Sequence, residues 1–269
     1  MKKGTDLVIH WHKRLPAAMA YVMMGRVQDL ENLHIAGPFD ERKIRCIPKA
    51  LEEAVRLEKI SLSWKNKDVC FLSIASLNIR SLQKHHQDLL KDFKLMQKDV
   101  ICLQETWLNP QQDESYSLAG YESHWASTGK GKGLATFSKV VGGDRVSLVD
   151  TDNTFQLMKI KVKGITIISV YLSSNCSKLE VVVDFISQHK SEKCIVIGDL
   201  NFTPDASNVF TKQLKDWNFS QLVDSATHKD GNIIDHAYTS EALSTVTFVD
   251  LHYVYYSDHQ GLFVNIVDQ

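Results

Sequence analysis

The chemistry this sequence could perform centres on Asp199 and Asn201, two residues apart in KCIVIGDLNFTP (193–204). The run Cys194–Ile197 ahead of them is apolar without alternation, as in a strand buried on both faces. Gly198 ends that run, and the spacing then aims the carboxylate and the amide to one side. Open α/β sheets place their ligands at the carboxyl ends of such strands. A Gly-Asp pair after a strand is also a common turn, so its meaning depends on its company.

That company is a set of polar residues at other predicted strand ends: Asn78, Glu105, Tyr171, Asp235, Asp258 and His259. Each has a structural reading alone: Glu105 as a surface acid, Asn78 as a turn residue, Asp258 as a cap, Tyr171 as a core tyrosine. Together they suit the cleavage of a phosphate ester. Glu105 with an oxygen ligand such as Asn78 can hold Mg²⁺, which takes few protein oxygens and keeps several waters. Such an ion neutralises charge developing on the phosphate and the leaving oxygen. Asp199 can orient a water or take its proton, and Asn201 and Tyr171 can hydrogen-bond phosphate oxygens. His259 beside an aspartate would have a raised pKa and present a cationic donor.

The elements that must carry these residues read as alternating strands and helices. Strands are expected at Val69–Leu77, Asp99–Leu103, Gly120–Trp125, Gly133–Phe137, Phe155–Val162 and Ile165–Leu172. Others follow at Cys194–Ile197, Ile233–Tyr238, Thr245–Leu251 and Gly261–Val267. Leu82, His86, Leu89, Phe93 and Met96 recur at helical spacing, predicting one amphipathic helix between the first two strands and hence a crossover unit. Leu179–Ile186 suits a covering helix. Another is expected from Thr203, with Pro204 at its first position and Val209, Phe210, Leu214 and Trp217 on one face. Residues 128–132 (TGKGK) read as a flexible basic loop. Lys159, Lys161 and Lys163 share one strand face and read as a solvated face or edge.

With 269 residues, 43% hydrophobic and 23% charged, the chain can bury one large core or two domains. Its net charge of −1 gives no global basic field, so an anionic substrate must be held by local lysines or a bound metal. Five scattered cysteines (46, 70, 102, 176 and 194) suggest reduced thiols and an intracellular location. No apolar stretch approaches membrane-spanning length, and no signal peptide is evident. A polar break at 61–68 marks the expected domain boundary.

Taken in order, SLNIRSL, LQETWL, SVYLSSN, IGDLN, IIDHAYTS and SDHQ resemble the motifs of the endonuclease/exonuclease/phosphatase superfamily, across about residues 68–269. The resemblance implies a four-layer α/β sandwich, with two mixed sheets face to face and helices outside. It implies Glu105 and Asn78 at the metal with Asp258 as a further carboxylate, and Asp199 orienting the water. It further implies Asp235 paired with His259, and Asn201 with Tyr171 at the phosphate. Arg80, Asn175, Lys130 and Lys132 are the expected substrate contacts. Arg80 stands where many members carry aspartate, and the asparagine after Tyr171 is displaced to Asn175. The implied cofactor is Mg²⁺, with Mn²⁺ as a substitute, and the implied substrate is DNA. NIRSL and IDHAYTS look most like the mobile-element branch. A phosphomonoesterase, a phospholipid or inositol-phosphate phosphodiesterase, and a decayed binding fragment are the alternatives.

Residues 1–62 read from composition as a small helical or strand extension, with a short strand at Leu7–His10, an apolar run at Ala17–Met24 and a helix opened by Pro48. Their wording resembles the C-terminal end of PIF-family DNA helicases. Ala20–Val27 (AYVMMGRV), Leu30–Ile35 and Phe39–Ile44 carry the likeness, with Arg26 as the arginine that reaches ATP phosphate in that family. No phosphate-binding GxxxxGK[ST] loop exists in the chain, so no ATPase or helicase activity is expected. Helicase tail joined to nuclease resembles Helitron-type transposon proteins. A nuclear location and a missing helicase portion as partner are the corresponding expectations.

Overall fold

The computed structural model describes residues 70–139, 154–205 and 207–268 in full, and the backbone of 7–10, 33–36 and 146–149. The chain divides into two compact units, 1–65 and 66–269. In the first, β1 (Leu7–His10) pairs in parallel with β2 (Leu33–Ala36), Leu7 opposite Leu33. The expected apolar run at 17–24, the helix from Pro48 and Arg26 lie outside the described residues.

The second unit holds β3 (Cys70–Asn78), α1 (Leu82–Lys91), α2 (Phe93–Met96), β4 (Val100–Gln104), β5 (Glu122–Ala126), β6 (Leu134–Ser138) and β7 (Val146–Val149). It continues with β8 (Phe155–Val162), β9 (Ile165–Leu172), α3 (Leu179–Ser187), β10 (Cys194–Asp199) and α4 (Val209–Asp216). The last strands are β11 (Ser220–Gln221), β12 (Asp235–Thr239), β13 (Thr247–His252) and β14 (Gly261–Val267). Two six-stranded sheets result, one ordered β11-β12-β10-β9-β8-β7 and the other β13-β14-β3-β4-β6-β5. Both are mixed. The β9–β10 and β3–β4 pairs are parallel, the latter closing the expected crossover, and the remaining pairs are antiparallel.

Side-chain alternation builds four layers from these sheets. Ile167, Ile195, Ile197 and Ala237 of one sheet meet Leu72, Ile74, Val100 and Val264 of the other in the inter-sheet core. The opposite faces of β9 and β10, carrying Ile168, Val170 and Val196, are covered by Val182, Ile186, Phe210 and Leu214 of α3 and α4. Ala75, Leu77, Ile101 and Leu103 face Leu82, Leu89 and Leu95 of α1 and α2 on the far side. Both faces of the central strands are therefore apolar, and each fully buried aliphatic contributes roughly 1.5–3 kcal/mol. The lysines of β8 sit as expected, with Lys161 exposed between buried Ile160 and Val162.

Two helix expectations need correction. The helix predicted over 82–96 is two helices, broken at Asp92. Its carboxylate accepts from Leu95 N–H at 3.2 Å to start α2, and also from His252 Nε2 at 2.7 Å. The break turns Phe93 outward, 63% exposed, instead of onto the apolar face. The helix predicted from Pro204 begins five residues later. Asn208 caps it, its Oδ1 accepting from Phe210 N–H at 2.8 Å, and Val209 is exposed. Asn208 is the stronger start signal because it supplies an acceptor, whereas proline only supplies φ. No helix among the described residues is long and apolar enough to cross a membrane.

Candidate active site

The central strands end at one rim of the sandwich, and their register lines up the polar residues. Across one sheet, Tyr171, Asp199 and Asp235 occupy a single row, Asp199 being opposite Tyr171 on β9 and opposite Asp235 on β12. In the other sheet Asn78 ends β3 opposite Gln104 of β4, and Glu105 follows. Gly198 does not end β10 as expected but pairs within it, at φ +146°, where a Cβ would lie 1.9 Å from the Val170 carbonyl oxygen. Only glycine lets β10 lie this close to β9 there. Arg80, Ser81, Glu105, Trp107 and Asn201 all adopt positive φ. Such conformations are costly for residues with a Cβ and gather where function constrains the backbone.

The Asn78 amide joins the two sheets at this rim. Asn78 Nδ2 donates to Glu105 Oε1 at 3.0 Å and to Asp199 Oδ2 at 2.8 Å. Its Oδ1, the atom expected to face a metal, accepts from Arg80 N–H at 3.1 Å. Asn78 thus acts as a brace between two carboxylates. Asn201 reinforces Asp199, its backbone N–H reaching Oδ1 at 2.9 Å and its amide reaching Oδ2 at 3.3 Å and the Leu172 carbonyl at 2.8 Å. Tyr171 Oη makes only long bonds, 3.4 Å to Glu105 Oε1 and 3.3 Å to the Gly131 carbonyl. Burial, with the Glu105 and Asp199 charges behind it, raises the phenol pKa and keeps it a donor.

His259 Nδ1 lies 2.8 Å from Asp235 Oδ2, both side chains buried. Burial works against the imidazolium, but the hydrogen bond and charge of Asp235 prevail and raise its pKa to about 9. Asp199 is likewise raised, above the ordinary carboxylate range. Burial, then the Asp235 charge, push it up to about 7, against the pull of His259 and the Asn78 amide. Oxygens of Asp199 and Asp235 and a nitrogen of His259 lie within 4.8 Å of one another.

The remaining expected residues fall in three groups. Asp258 gives Oδ2 to Arg80 in a close ion pair, to Lys229 at 3.2 Å and to His228 at 3.5 Å, while its buried Oδ1 has no hydrogen-bond partner among the described residues. Lys130 and Lys132 belong to a loop that is tied down instead of free. Gly129 N–H donates to Leu108, and the Lys132 carbonyl accepts from Trp107 N–H at 2.8 Å. Neither ammonium is engaged among the described residues, and the loop meets the site through Gly131. Asn175 is exposed, accepts from Ser173 Oγ at 2.7 Å, and is not drawn into the cluster.

Sequence reasoning missed His228 and Lys229. They reach Asp258 because His228 forms a bridge opposite His259, with ring centroids 4.9 Å apart. It also missed Gln104, buried beneath the site, whose Nε2 lies 3.0 Å from Ser76 Oγ and 3.4 Å from Ser169 Oγ of the facing sheet. Trp107, whose Nε1 donates to Glu105 Oε2 at 3.1 Å, was visible in LQETWL but unassigned.

Residues 75–259 match the Endonuclease/Exonuclease/phosphatase family. Among solved structures, the chain is similar to the 3′ phosphatase NExo from Neisseria, solved bound to a product DNA hairpin. That match has 18% identity and TM-score 0.60, covering 74% of this chain and 100% of that one. An AP endonuclease from Archaeoglobus fulgidus matches with 16% identity and TM-score 0.59 over 74% and 100%. The endonuclease domain of TRAS1, a telomere-specific non-LTR retrotransposon, matches with 16% identity and TM-score 0.53 over 73% and 98%. No curated protein matches the chain. A family match across the two sheets, including the brace at Asn78 and the pair at Asp235 and His259, leaves one reading: the chain belongs to the endonuclease/exonuclease/phosphatase family of phosphate-ester hydrolases.

Proposed function

We propose that this chain is a divalent-metal-dependent DNA endonuclease that hydrolyses a phosphodiester by in-line attack of water. The observation that carries the reading is the Asn78 brace. It holds Glu105 and Asp199 to one nitrogen, in a site that also contains the buried His259–Asp235 pair. A hard cation fits the donor set. Glu105 is half-buried, and its Oε2, with Trp107 as its donor among the described residues, keeps a lone pair free, while Asp258 Oδ1 is a buried oxygen without a partner among the described residues. Oxygen ligands of this kind suit Mg²⁺ or Mn²⁺ over softer metals. When bound, the ion would neutralise charge on the phosphate and leaving oxygen.

The chain's own groups supply the rest. Asp199, ionised above about pH 7, accepts the proton of a water whose position Asn78 and Asn201 fix through its carboxylate. His259, cationic below about pH 9, donates to a phosphate oxygen through Nε2 while Asp235 holds Nδ1. Tyr171 offers a second neutral donor, and Arg80 a cation at the rim. Asn201 has both amide hydrogens engaged, so it serves Asp199 more directly than the phosphate.

The test is nicking of supercoiled plasmid with and without Mg²⁺, beside inositol phosphates, a phosphomonoester and sphingomyelin as competitors for the assignment. Glu105→Gln keeps the shape and removes the charge, so nicking should fall by roughly a hundredfold or more. Wild-type nicking by that variant refutes the ligand assignment. Faster turnover of a phosphomonoester than of plasmid would favour the phosphatase reading. The proposal extends to origin: the PIF-like wording of 1–62 supports a helicase–endonuclease protein of the Helitron type, acting in the nucleus.

A further inference from the structure

Next to the Glu105 carboxylate lies a cleft of about 460 Å³, between the start of α1 and the segment before Asp258. Arg80 and Lys84 line it with Asp258, and Lys229 reaches that acid from outside, so three cations stand against Asp258 and, behind the Tyr255 hydroxyl, Asp88. The balance favours an anion, with Lys84 making no ion pair among the described residues. Its other walls are aromatic: Trp107, Tyr255 and Tyr256. The Trp107 indole is fixed by its bond to Glu105, which ties this wall of the cleft to the proposed catalytic centre.

Tyr255 is the telling residue. In the segment 253–256, Val254 and Tyr256 are buried, 4% and 7% exposed, and hold the segment to the core. Tyr255 is 72% exposed, yet it is not loose. Its hydroxyl donates to Asp88 Oδ1 at 2.7 Å, and its ring meets Tyr256 edge-on at 5.3 Å and 88°. An aromatic face left in water contributes nothing to the core, and fixing it in advance lowers the entropy lost when something stacks on it. A planar, anionic ligand with an open face fits: a base carrying a phosphate.

We propose that the cleft receives an unpaired nucleotide of the strand being cut, its base stacked on Tyr255 and its phosphate facing Arg80 and Lys84. This rests on the nuclease reading and narrows it to DNA with single-stranded character at the cut. In an intact duplex both faces of each base are already stacked, so a base can stack on Tyr255 only when it is unpaired. Stacking of this sort is tolerant of sequence.

The experiment compares the full chain on one labelled sequence presented as intact duplex and as a bubble with unpaired bases, in Mg²⁺. Alongside, binding of a 2-aminopurine single strand is followed by fluorescence quenching without metal. The bubble should be cut about tenfold faster or more. Tyr255→Ala should weaken single-strand binding roughly 5- to 100-fold and shrink the preference for the bubble. Tyr255→Phe keeps the stacking face and should fall between. Tyr253→Ala, 78% exposed but outside the cleft, should match wild type. Equal cutting of bubble and duplex, or a Tyr255→Ala variant that binds and discriminates like wild type, overturns the inference while the nuclease reading stands. A Tyr255→Phe variant as weak as Tyr255→Ala overturns stacking. No cleavage of any DNA, with turnover of an inositol phosphate instead, overturns both.

Discussion

At the scale of single residues, Asp235 is the group through which acid and base are coupled. It raises His259 to about 9, and it is also the second cause, after burial, of the rise of Asp199 to about 7. If Asp199 must be ionised and His259 protonated, activity is bounded by an acid limb near the first value and an alkaline limb near the second. Asp235→Asn removes one negative charge from both neighbours. Asp199 then ionises more readily and His259 loses its proton more readily. Both limbs of the kcat/KM profile should therefore move to lower pH, in the same direction. A change in His259 orientation alone would lower the plateau and leave the limbs in place. The limbs belong to the coupled set and not to either residue alone. That these residues would meet was readable from residue types at strand ends, because carboxylate, amide, imidazole and phenol each have few uses together. What was not readable was which atom faces which. Asn78 was expected to offer oxygen and instead offers nitrogen to two acids, a choice made by Arg80 N–H and by Asp199, 121 positions away.

At the scale of elements, legibility followed burial. β9 and β14 match their expected limits, Ile165–Leu172 and Gly261–Val267, because an unbroken apolar run has one use inside a sandwich. α1–α2 and α4 were misjudged because polar side chains, Asp92 and Asn208, set their ends by bonds that apolar spacing does not encode. β11 has two residues, too short for any period. Asp258's partners His228 and Lys229 arrive on a loop, where no pattern announces them. The most exacting element contact is β9 with β10 at Gly198. Gly198→Ala would drive a methyl group into the Val170 carbonyl. Backbone must shift to relieve it, so the loss should exceed roughly 3 kcal/mol, the upper end of the range of overpacking. Urea denaturation checks this: the midpoint should drop at an unchanged slope. A midpoint near that of wild type would mean that the two strands have slack.

At the scale of the molecule, the family match begins at residue 75 and the second compact unit at 66, so every residue assigned to the proposed site belongs to the second unit. Removal of residues 1–65 should leave plasmid nicking at the wild-type rate, and the full chain should hydrolyse no ATP. Loss of nicking on deletion would assign the amino-terminal unit a part in catalysis. Within the second unit the strand order carries a further consequence, for the order of biosynthesis. β14, the final strand, lies between β13 and β3, and supplies Leu262, Val264 and Ile266 to the inter-sheet core. β3, the first strand of the unit to leave the ribosome, must therefore wait for the last before its edge is covered. Until then it exposes a long apolar edge of the kind that aggregates or recruits chaperones. Nascent chains arrested before Gly261 should remain sensitive to protease throughout residues 70–250, and chains extended by a linker past Val267 should become resistant in one step. Early resistance of the arrested chains would show that the first sheet closes without its final strand.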